Sequence, residues 1–245
     1  MGIFSAMVVP ALDEARELGL DAVYGQAVTV HPYSQKAAFS HGYRDTGVAV
    51  GRARASIRLE GNKLMRTGKR HAIVLHYLVF DPRGRAVFLP TVYRDEVVRA
   101  YENVGIPVEW KPEDAAGRQG PSAELNASLN IGTIAIGRWA DGDDLGLSRA
   151  FHYLLAKHCD MIYAEIDLQT VANVDAVVDR LNREGFFYSG LVLYGRDGHD
   201  QLRLQYENTL DVDEEEIICY SDFAQELRRF ILEDKARVVT DAGTG

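Results

Sequence analysis

Two stretches of the chain share one pattern of apolar and polar positions. In each stretch an apolar strand leads into a helix, then a glycine followed by an aromatic residue, then a second strand. The first stretch has a strand at 22–30, a helix at 34–41, Gly42 with Tyr43, and a strand at 47–50. The second has a strand at 161–168, a helix at 173–183, Gly185 with Phe186, and a strand at 187–194. Internal repeats are stronger evidence of a fold than single motifs, so we expect one supersecondary unit used twice.

The remaining segments also show helical or strand periodicity. Helices are predicted at 2–18, 91–104, 147–158 and 223–232. Strands are predicted at 106–110, 123–129, 132–139 and 201–206. The apolar run 71–80 and the segment 85–89 flank the turn-forming residues Asp81 to Gly84, which predicts a β-hairpin.

Composition and charge exclude several classes of function. The apolar content of 47% and the charged content of 26% are those of an ordinary globular protein. A net charge of −9 argues against nucleic acid as a partner, because affinity for a phosphate backbone comes from clustered Lys and Arg. No apolar run of about 18 residues is present, so no membrane span is expected. Two cysteines are too few for a disulfide framework, which favours a cytoplasmic setting.

The residues at two predicted helix starts suggest a protein family. His31-Pro32-Tyr33-Ser34 and Asn173-Val174-Asp175-Ala176 each follow an apolar strand. Both stretches resemble the closing half of the GNAT N-acetyltransferase fold, in which a strand, an Asn-x-x-Ala helix start, a Gly-Phe turn and a final strand follow one another. The run 31–36 also resembles GNAT-like regions found downstream of anti-sigma-factor type ATPase domains. The resemblance implies an α/β, layered α+β protein with a mixed, mostly antiparallel sheet flanked by helices.

The order of predicted elements from residue 70 to about 210 resembles a complete GNAT domain. The resemblance therefore divides the chain into three parts. Residues 1–51 are expected to be the C-terminal portion of a first GNAT-like unit, and 52–69 a linker. Residues 70–239 are expected to be a second, degenerate GNAT-like domain that ends in a helix. The linker contains a basic run, for which a solvated surface and an anion site are the two interpretations.

The resemblance also implies acetyl-CoA as the cofactor, and no metal. In GNATs the coenzyme A pyrophosphate lies on backbone amides at the N-terminus of a helix, where the helix dipole also favours an anion. For the first stretch the resemblance leaves Gly2, Ile3 and Phe4 as cofactor-binding candidates at the start of the first helix. His31 and Ser34, at the end of the following strand, are the other two.

The corresponding loop of the second stretch carries three acids, Asp141, Asp143 and Asp144. At about 4 Å and an effective dielectric constant of about 20, each like-charge pair costs roughly 4 kcal/mol. A helix dipole, worth about 0.3–1 kcal/mol per nearby charge, does not offset this. We therefore predict that this half does not bind the usual acyl donor. Asp143 or Asp144 is expected to cap the helix, and a metal site of hard oxygen ligands is the alternative.

The strand at 22–30 is predicted to leave a sheet edge without a partner, and such an edge pairs or aggregates. Three interpretations remain open. The chain is a fragment of a longer protein, or its second half supplies a strand, or another chain supplies one in a homodimer.

Two residues are candidates for catalysis. His31 could act as a base toward an amine, or donate to a pantetheine carbonyl; alternatively it bonds the turn at Pro32 while Ser34 caps the helix. Glu165, inside the strand at 161–168, could be a base if it is buried with a raised pKa; the alternative is that it faces an edge or is hydrogen-bonded. Gln35 and Lys36 are expected to be exposed helix residues.

Three functions follow as hypotheses. The first is a protein related to acyl-CoA-dependent N-acetyltransferases, with impaired or absent catalysis, whose acceptor is an unassigned small molecule or protein. The second is a non-catalytic regulatory or ligand-sensing module associated with an anti-sigma-factor type ATPase. The third is a dimerisation module that uses the exposed sheet edge.

Overall fold

A computed structural model describes residues 3–54, 69–110, 119–209, 212 and 214–242. Its helices are α1 (Ile3–Glu17), α2 (Tyr33–Ser40), α3 (Arg94–Asn103), α4 (Asp143–Ala156), α5 (Val174–Arg183) and α6 (Asp222–Ala242). Its strands are β1 (Ala22–Val28), β2 (Arg44–Ala53), β3 (His71–Val79), β4 (Arg85–Val87), β5 (Val108–Trp110), β6 (Ser122–Asn126), β7 (Ile131–Ile136), β8 (Met161–Asp167), β9 (Phe187–Val192) and β10 (Gln201–Glu207). In these ranges no helix is both long and apolar enough to cross a membrane.

Eight strands form one curled sheet in the order β1-β3-β2-β9-β10-β8-β7-β6. Neighbouring strands are antiparallel except β7 and β8, which are parallel and joined by α4. A strand–helix–strand crossover gives this parallel arrangement. The protein is thus α+β, with a mostly antiparallel sheet flanked by helices, which agrees with the fold class that the resemblance implies.

The two repeated stretches have the same backbone at their turns. Gly42 and Gly185 have φ angles of 90° and 94°. The N–H of Tyr43 donates to the carbonyl of Ala38, and the N–H of Phe186 donates to that of Leu181. Each helix therefore ends in a left-handed glycine with a six-residue closing bond, which favours glycine because it has no Cβ.

Each repeated stretch also takes up a third strand in the same place. β3 lies between β1 and β2, and β10 lies between β8 and β9, with antiparallel pairing throughout. A helix precedes the first strand in both cases. We name the set α1, β1, α2, β2 and β3 unit one, and the set α4, β8, α5, β9 and β10 unit two.

The hairpin predicted for 71–80 and 85–89 is wrong. Both edges of β3 are occupied, one by β1 and one by β2. β4 therefore pairs elsewhere, in parallel with β5, and the two form a small separate sheet. A turn does separate β3 from β4, as predicted, but the sequence does not show that both edges of β3 are occupied. β3 falls in the range predicted for the second domain, yet its ladders are with unit one.

The predicted bare edge of β1 is paired on one side only. β3, supplied by the later part of the chain, occupies that side, and β1 ends the sheet order among the described strands. The other two interpretations of the edge stay predictions.

Two helices cover the junction of the units on one face of the sheet. α3 and α6 each pack on both β2 and β9. The buried carboxylate of Asp234, on α6, accepts hydrogen bonds from the Tyr93 hydroxyl and from the Tyr188 N–H. One continuous apolar core includes residues of both units. α1 lies outside it and packs in a separate small apolar cluster that includes Leu12, Ala38 and Tyr43.

Candidate functional site

Sheet positions that differ between the units identify the candidate site. Gly47 faces Leu75, which faces Gln26 on β1; at the matching places Gly190 faces Arg203, which faces Glu165 on β8. Two residues further along, the facing pair is Val28 with Ile73 in unit one, and Asp167 with Gln201 in unit two. The fold accepts uncharged residues at these places in unit one. The charged residues of unit two are therefore not required by the sheet.

Asp167 and His199 form a hydrogen-bonded pair in unit two. Asp167 is the last residue of β8 and is 8% exposed. Its Oδ2 lies 2.7 Å from Nδ1 of His199, and its Oδ1 accepts from the N–H of Gln169. A carboxylate oxygen accepts, so the hydrogen bond is made by an N–H at Nδ1 of His199, and Nε2 is the ring nitrogen that this bond leaves unused. Among the described residues, Nε2 has no hydrogen-bond partner.

A cavity of about 300 Å³ opens beside this pair, and we name it the dyad cavity. It lies at the carboxyl ends of the parallel strands β7 and β8, where open α/β sheets generally bind ligands. Thr170 lies on its wall and donates its hydroxyl to the carbonyl of Gly137. Arg196 is also on the wall and is paired with Glu124 of β6. The cavity is thus lined by the pair of Asp167 and His199 and by one arginine, Arg196, that is already in an ion pair.

A second cavity of about 560 Å³ adjoins the first, and we name it the tyrosine cleft. Arg196 and Gln201 line both cavities. Tyr24 of β1 and Tyr77 of β3 form one wall, with ring centroids 5.2 Å apart. Burial raises the pKa of both tyrosines, so their hydroxyls stay neutral at physiological pH. The cleft therefore combines a polar floor from unit two with an aromatic wall from unit one.

Glu165 lies on the floor of the tyrosine cleft and forms an ion pair with Arg203. Nε and Nη2 of Arg203 donate to the same oxygen of Glu165 at 3.1 and 2.6 Å. Burial opposes the charge of Arg203, but Glu165 and the nearby Tyr163 and Tyr24 together more than offset this and hold the pKa of the guanidinium above its usual value. Nη1 of Arg203 is buried without a partner in the described part of the chain. Glu165 is thus hydrogen-bonded in the structure, which agrees with the alternative to a role as a base.

The acidic loop before α4 differs from the predicted cap. Gly142, with φ 89°, is the N-cap residue and provides no side chain, while Asp143 and Asp144 are the first residues of the helix. The Asp143 carboxylate turns back to accept from the Ala140 N–H at 2.9 Å and pairs with Arg138. Asp144 instead pairs with Arg180 of α5. The predicted capping by either acid is wrong, because the glycine occupies the cap position and the acids bond elsewhere.

The candidates of the first stretch lie at the other end of the sheet. His31 and Ser34 flank the start of α2, and the His31 ring lies 5.1 Å from that of Tyr33. Nδ1 of His31 and Oγ of Ser34 are buried and lack a hydrogen-bond partner in the described ranges, and α2 has no side-chain cap. The alternative in which these two residues hold the turn is therefore wrong. Their roles toward a cofactor remain predictions.

Three further cofactor candidates precede His31 in the chain. Gly2 lies outside the described residues. Ile3 and Phe4 belong to the first turn of α1, where only the backbone is described.

Gln35, expected to be exposed, is 4% exposed. Its amide nitrogen donates to the carbonyls of Val28 and Ile218, so it ties α2 to two neighbouring segments.

Sequence reasoning missed the pair of Asp167 and His199. Their positions are 32 residues apart, and a loop that the sequence does not place brings them together. The signal that could have found Asp167 is a single acid at the end of an otherwise apolar strand. Within the described ranges, no three His, Cys, Asp or Glu residues are placed to hold a metal ion.

Comparison of the chain with protein-family models matches no family. Comparison with curated proteins finds no match either.

Proposed function

We propose that this protein is a GNAT-like, non-catalytic ligand-binding module that does not take acetyl-CoA at its second unit. The observation that carries the proposal is the hydrogen bond between the Asp143 carboxylate and the Ala140 N–H, 2.9 Å long. A coenzyme pyrophosphate needs free amides at the start of this helix. Here the Asp143 carboxylate takes the amide of Ala140, in the loop just before the helix, and adds a negative charge beside the first-turn amides.

The relation to GNAT proteins is supported by the repeat. Both units place a helix before a strand, then a second helix, a left-handed glycine with an aromatic residue, and two more strands. The third strand enters between the first two in each unit. Up to its second strand, each unit has the order that the sequence resemblance gives for the closing half of the GNAT fold. Two related units in one sheet explain why the resemblance appears twice.

The ligand is proposed to lie in the dyad cavity and the adjoining tyrosine cleft. Asp167, Glu165 and Arg203 replace uncharged residues of unit one at matching sheet positions. Taking charges out of water costs free energy even when they are paired, as Glu165 with Arg203 and Asp167 with His199 are, so their presence where the fold does not need them supports recognition of a ligand. In a regulatory module such a ligand would act on the upstream ATPase domain that the resemblance implies.

Ligand binding is tested by thermal shift with three probes of similar size and different charge: 2-phenylethylamine, 3-phenylpropionate and 2-phenylethanol. We expect at least one to raise the melting temperature, and His199→Gln to remove the increase. His152→Gln is the matched control, because His152 is an exposed histidine on α4 that bonds only the Ser148 carbonyl. Equal shifts in all three proteins, or no shift with any probe, would contradict the proposed site.

Acyl transfer to an amine is the second candidate function, and the pair of Asp167 and His199 favours it. The free Nε2 of His199 could accept a proton from an amine while Asp167 holds the ring. Release of free coenzyme A thiol from acetyl-CoA and a mixture of amines separates the two candidates. We expect no release above the rate without protein; release that His199→Gln abolishes would favour the enzyme.

A further inference from the structure

We infer that the ligand of the tyrosine cleft carries a carboxylate, which Arg203 and the hydroxyls of Tyr24 and Tyr77 receive. The inference rests on the proposed function, because it assigns a chemical class to the ligand proposed there. It is carried by buried hydrogen-bond donors that lack acceptors and by a positive charge that lacks a partner, in and beside the cleft.

Arg203 keeps one donor nitrogen after its ion pair. Nε and Nη2 donate to one oxygen of Glu165, so Nη1 is the nitrogen that this pair leaves unused. Arg203 is 6% exposed, and Nη1 has no acceptor among the described residues. A buried donor without an acceptor is costly, and native structures nearly always supply one. Because Arg203 lines the cleft, we assign the missing acceptor to the ligand of the cleft.

A second buried donor lies two residues from Arg203 on β10. The side-chain oxygen of Gln205 accepts the Val50 N–H at 3.0 Å, which fixes the orientation of the amide. Its nitrogen is therefore a donor, and it has no acceptor in the described part of the chain. Gln205 is 0% exposed. Residues two apart on a strand point to the same face, so β10 presents two unused donors on one side of the sheet.

The arginines near the cleft leave one positive charge over. The ion pairs of Arg203 and Arg196, described above, are each neutral. Arg52 has no carboxylate partner among the described residues, and its Nε is buried without an acceptor there. The guanidinium carbons of Arg52 and Arg203 lie 5.2 and 5.3 Å from the centre of the Tyr163 ring. One surplus positive charge matches an anion of charge −1, which is the charge of a carboxylate at neutral pH.

Two tyrosine hydroxyls extend the donors to the wall of the cleft. Burial raises the pKa of Tyr24 and of Tyr77, and the positive charge of Arg203 acts against this in both, so both hydroxyls lie within its field. Each hydroxyl is protonated at neutral pH and has a hydrogen to donate. Tyr24 is 47% exposed, so its ring also provides a surface for the group attached to the carboxylate.

The same cleft is unfavourable to a cation. Glu165 is the one carboxylate among the described residues that line it. One oxygen of Glu165 accepts twice from Arg203, and with the Gln201 amide turned over, the other oxygen accepts from Gln201 at 3.3 Å. An ammonium group would therefore find a carboxylate that is already bonded, beside a guanidinium of its own charge.

Calorimetric titration with the three probes named above tests the class of ligand. They share a phenyl ring and a two-carbon linker and differ in the end group. We expect 3-phenylpropionate to bind, and 2-phenylethylamine and 2-phenylethanol to bind at least about tenfold more weakly. Binding of the amine or the alcohol as tightly as the carboxylate would overturn the inference and leave the proposed ligand site standing. Binding of none of the three would contradict the proposed function, and the inference with it.

Two variants test the residues. Glu165→Gln with Arg203→Leu removes the guanidinium without leaving a lone charge, and should weaken 3-phenylpropionate at least about tenfold. The control is Arg99→Leu with Glu226→Gln, which removes an exposed ion pair between α3 and α6 and should change nothing. Thermal unfolding checks that both remain folded.

Arg52→Gln keeps the ion pair of Glu165 and Arg203 and removes the surplus charge. It should weaken 3-phenylpropionate at least about threefold and leave the binding of 2-phenylethanol unchanged. Affinity for 3-phenylpropionate that is unchanged in both the double variant and Arg52→Gln would overturn the inference, since the carboxylate would then lie away from both arginines.

Discussion

Gly47 and Gly190 face each other across the seam between the two units. They hold the same place in each unit, five residues after the glycine that ends the helix, and they are paired in the antiparallel ladder of β2 and β9. A Cβ on Gly190 would lie 2.3 Å from the Cα of Gly47, and one on Gly47 would lie 2.8 Å from the Ser189 carbonyl oxygen. Equivalent residues meeting in this way resemble a two-fold interface within one chain.

Gly190→Ala is therefore expected to destabilise the protein by at least about 3 kcal/mol, because the new methyl meets backbone that has no room to move. The measurement is urea unfolding. Gly105→Ala is the control, since Gly105 also has a positive φ but nothing within 4 Å of its Cβ position. That change should cost only about 1 kcal/mol. Similar costs for the two variants would show that the seam is not tightly closed.

The ion pair of Glu165 and Arg203 gives a direct test of the correspondence between units. Removing one partner, as in Arg203→Leu, leaves the partly buried Glu165 carboxylate unpaired and should cost about 3 kcal/mol. The double change Glu165→Gln with Arg203→Leu installs the residues that unit one has at these places, Gln26 and Leu75. We expect it to recover most of the loss in thermal unfolding. A double variant as unstable as the single one would contradict the correspondence.

Gln35 holds α2 against two other segments, so its side chain must both donate and accept. Its nitrogen donates to the carbonyls of Val28 and Ile218, and its oxygen accepts from the N–H of Tyr220 at 2.8 Å. Gln35→Glu places a carboxylate against two carbonyl oxygens and should cost about 3 kcal/mol in chemical unfolding. Lys36→Glu, on the exposed side of the same helix, should cost less than about 0.5 kcal/mol. Equal losses of stability in the two variants would contradict the role of Gln35 in holding α2 against the two segments.

His76 should make folding sensitive to acid. Burial lowers the pKa of His76 to about 4, from 6.5. Between these pH values the unfolded chain binds a proton that the folded protein does not, so stability falls as the pH falls. The loss should approach about 3 kcal/mol below pH 4. The ring also packs edge-on against Tyr43, which is neutral in this pH range.

Asp45 acts in the opposite direction and must be separated from His76. The Asp45 carboxylate lies 4.0 Å from Nδ1 of His76. Burial raises the pKa of Asp45, so as the pH falls the folded protein binds a proton at Asp45 before the unfolded chain does. The effect of His76 is therefore the difference between the wild type and His76→Gln, measured by urea unfolding from pH 7 to pH 4. The variant should lose less stability over this range than the wild type. Parallel curves would contradict the assignment to His76.

The sequence predicts most of the helices and strands because local residue patterns mark them. Gly42 and Gly185 mark the helix ends through a backbone angle that only glycine adopts easily, and apolar periodicity marks the strands. Partner choice is different, since it depends on which edges are free. The predicted hairpin of β3 with β4 failed for that reason. The pairing of Gly47 with Gly190 was also open to sequence reasoning, because both follow a helix-ending glycine at the same distance.

The candidate site is less accessible to sequence than the fold. Glu165 is visible as an acid inside an apolar strand, but its partner Arg203 depends on the register of β8 with β10. Asp167 and His199 come together because the loop after β9 carries His199 to the end of β8, and the sequence does not show the path of that loop. The sequence predicts that Asp141, Asp143 and Asp144 disfavour a pyrophosphate. It does not show that Asp143 bonds Ala140 and Arg138, or that Asp144 bonds Arg180 of α5, because these contacts depend on the path of the loop and on the packing of α5.

The central claim is that the loop before α4 cannot accept a coenzyme pyrophosphate, and calorimetric titration of acetyl-CoA into the full chain tests it most directly. We expect no saturable heat up to about 1 mM ligand, a limit set by a binding free energy of about −4 kcal/mol. The matched variant Asp143→Ala with Asp144→Asn frees the Ala140 amide and removes two charges, and any weak binding should appear there first. Saturable one-to-one heat with the unmodified chain, lost on substitution of Gly142 by Pro, would contradict the account.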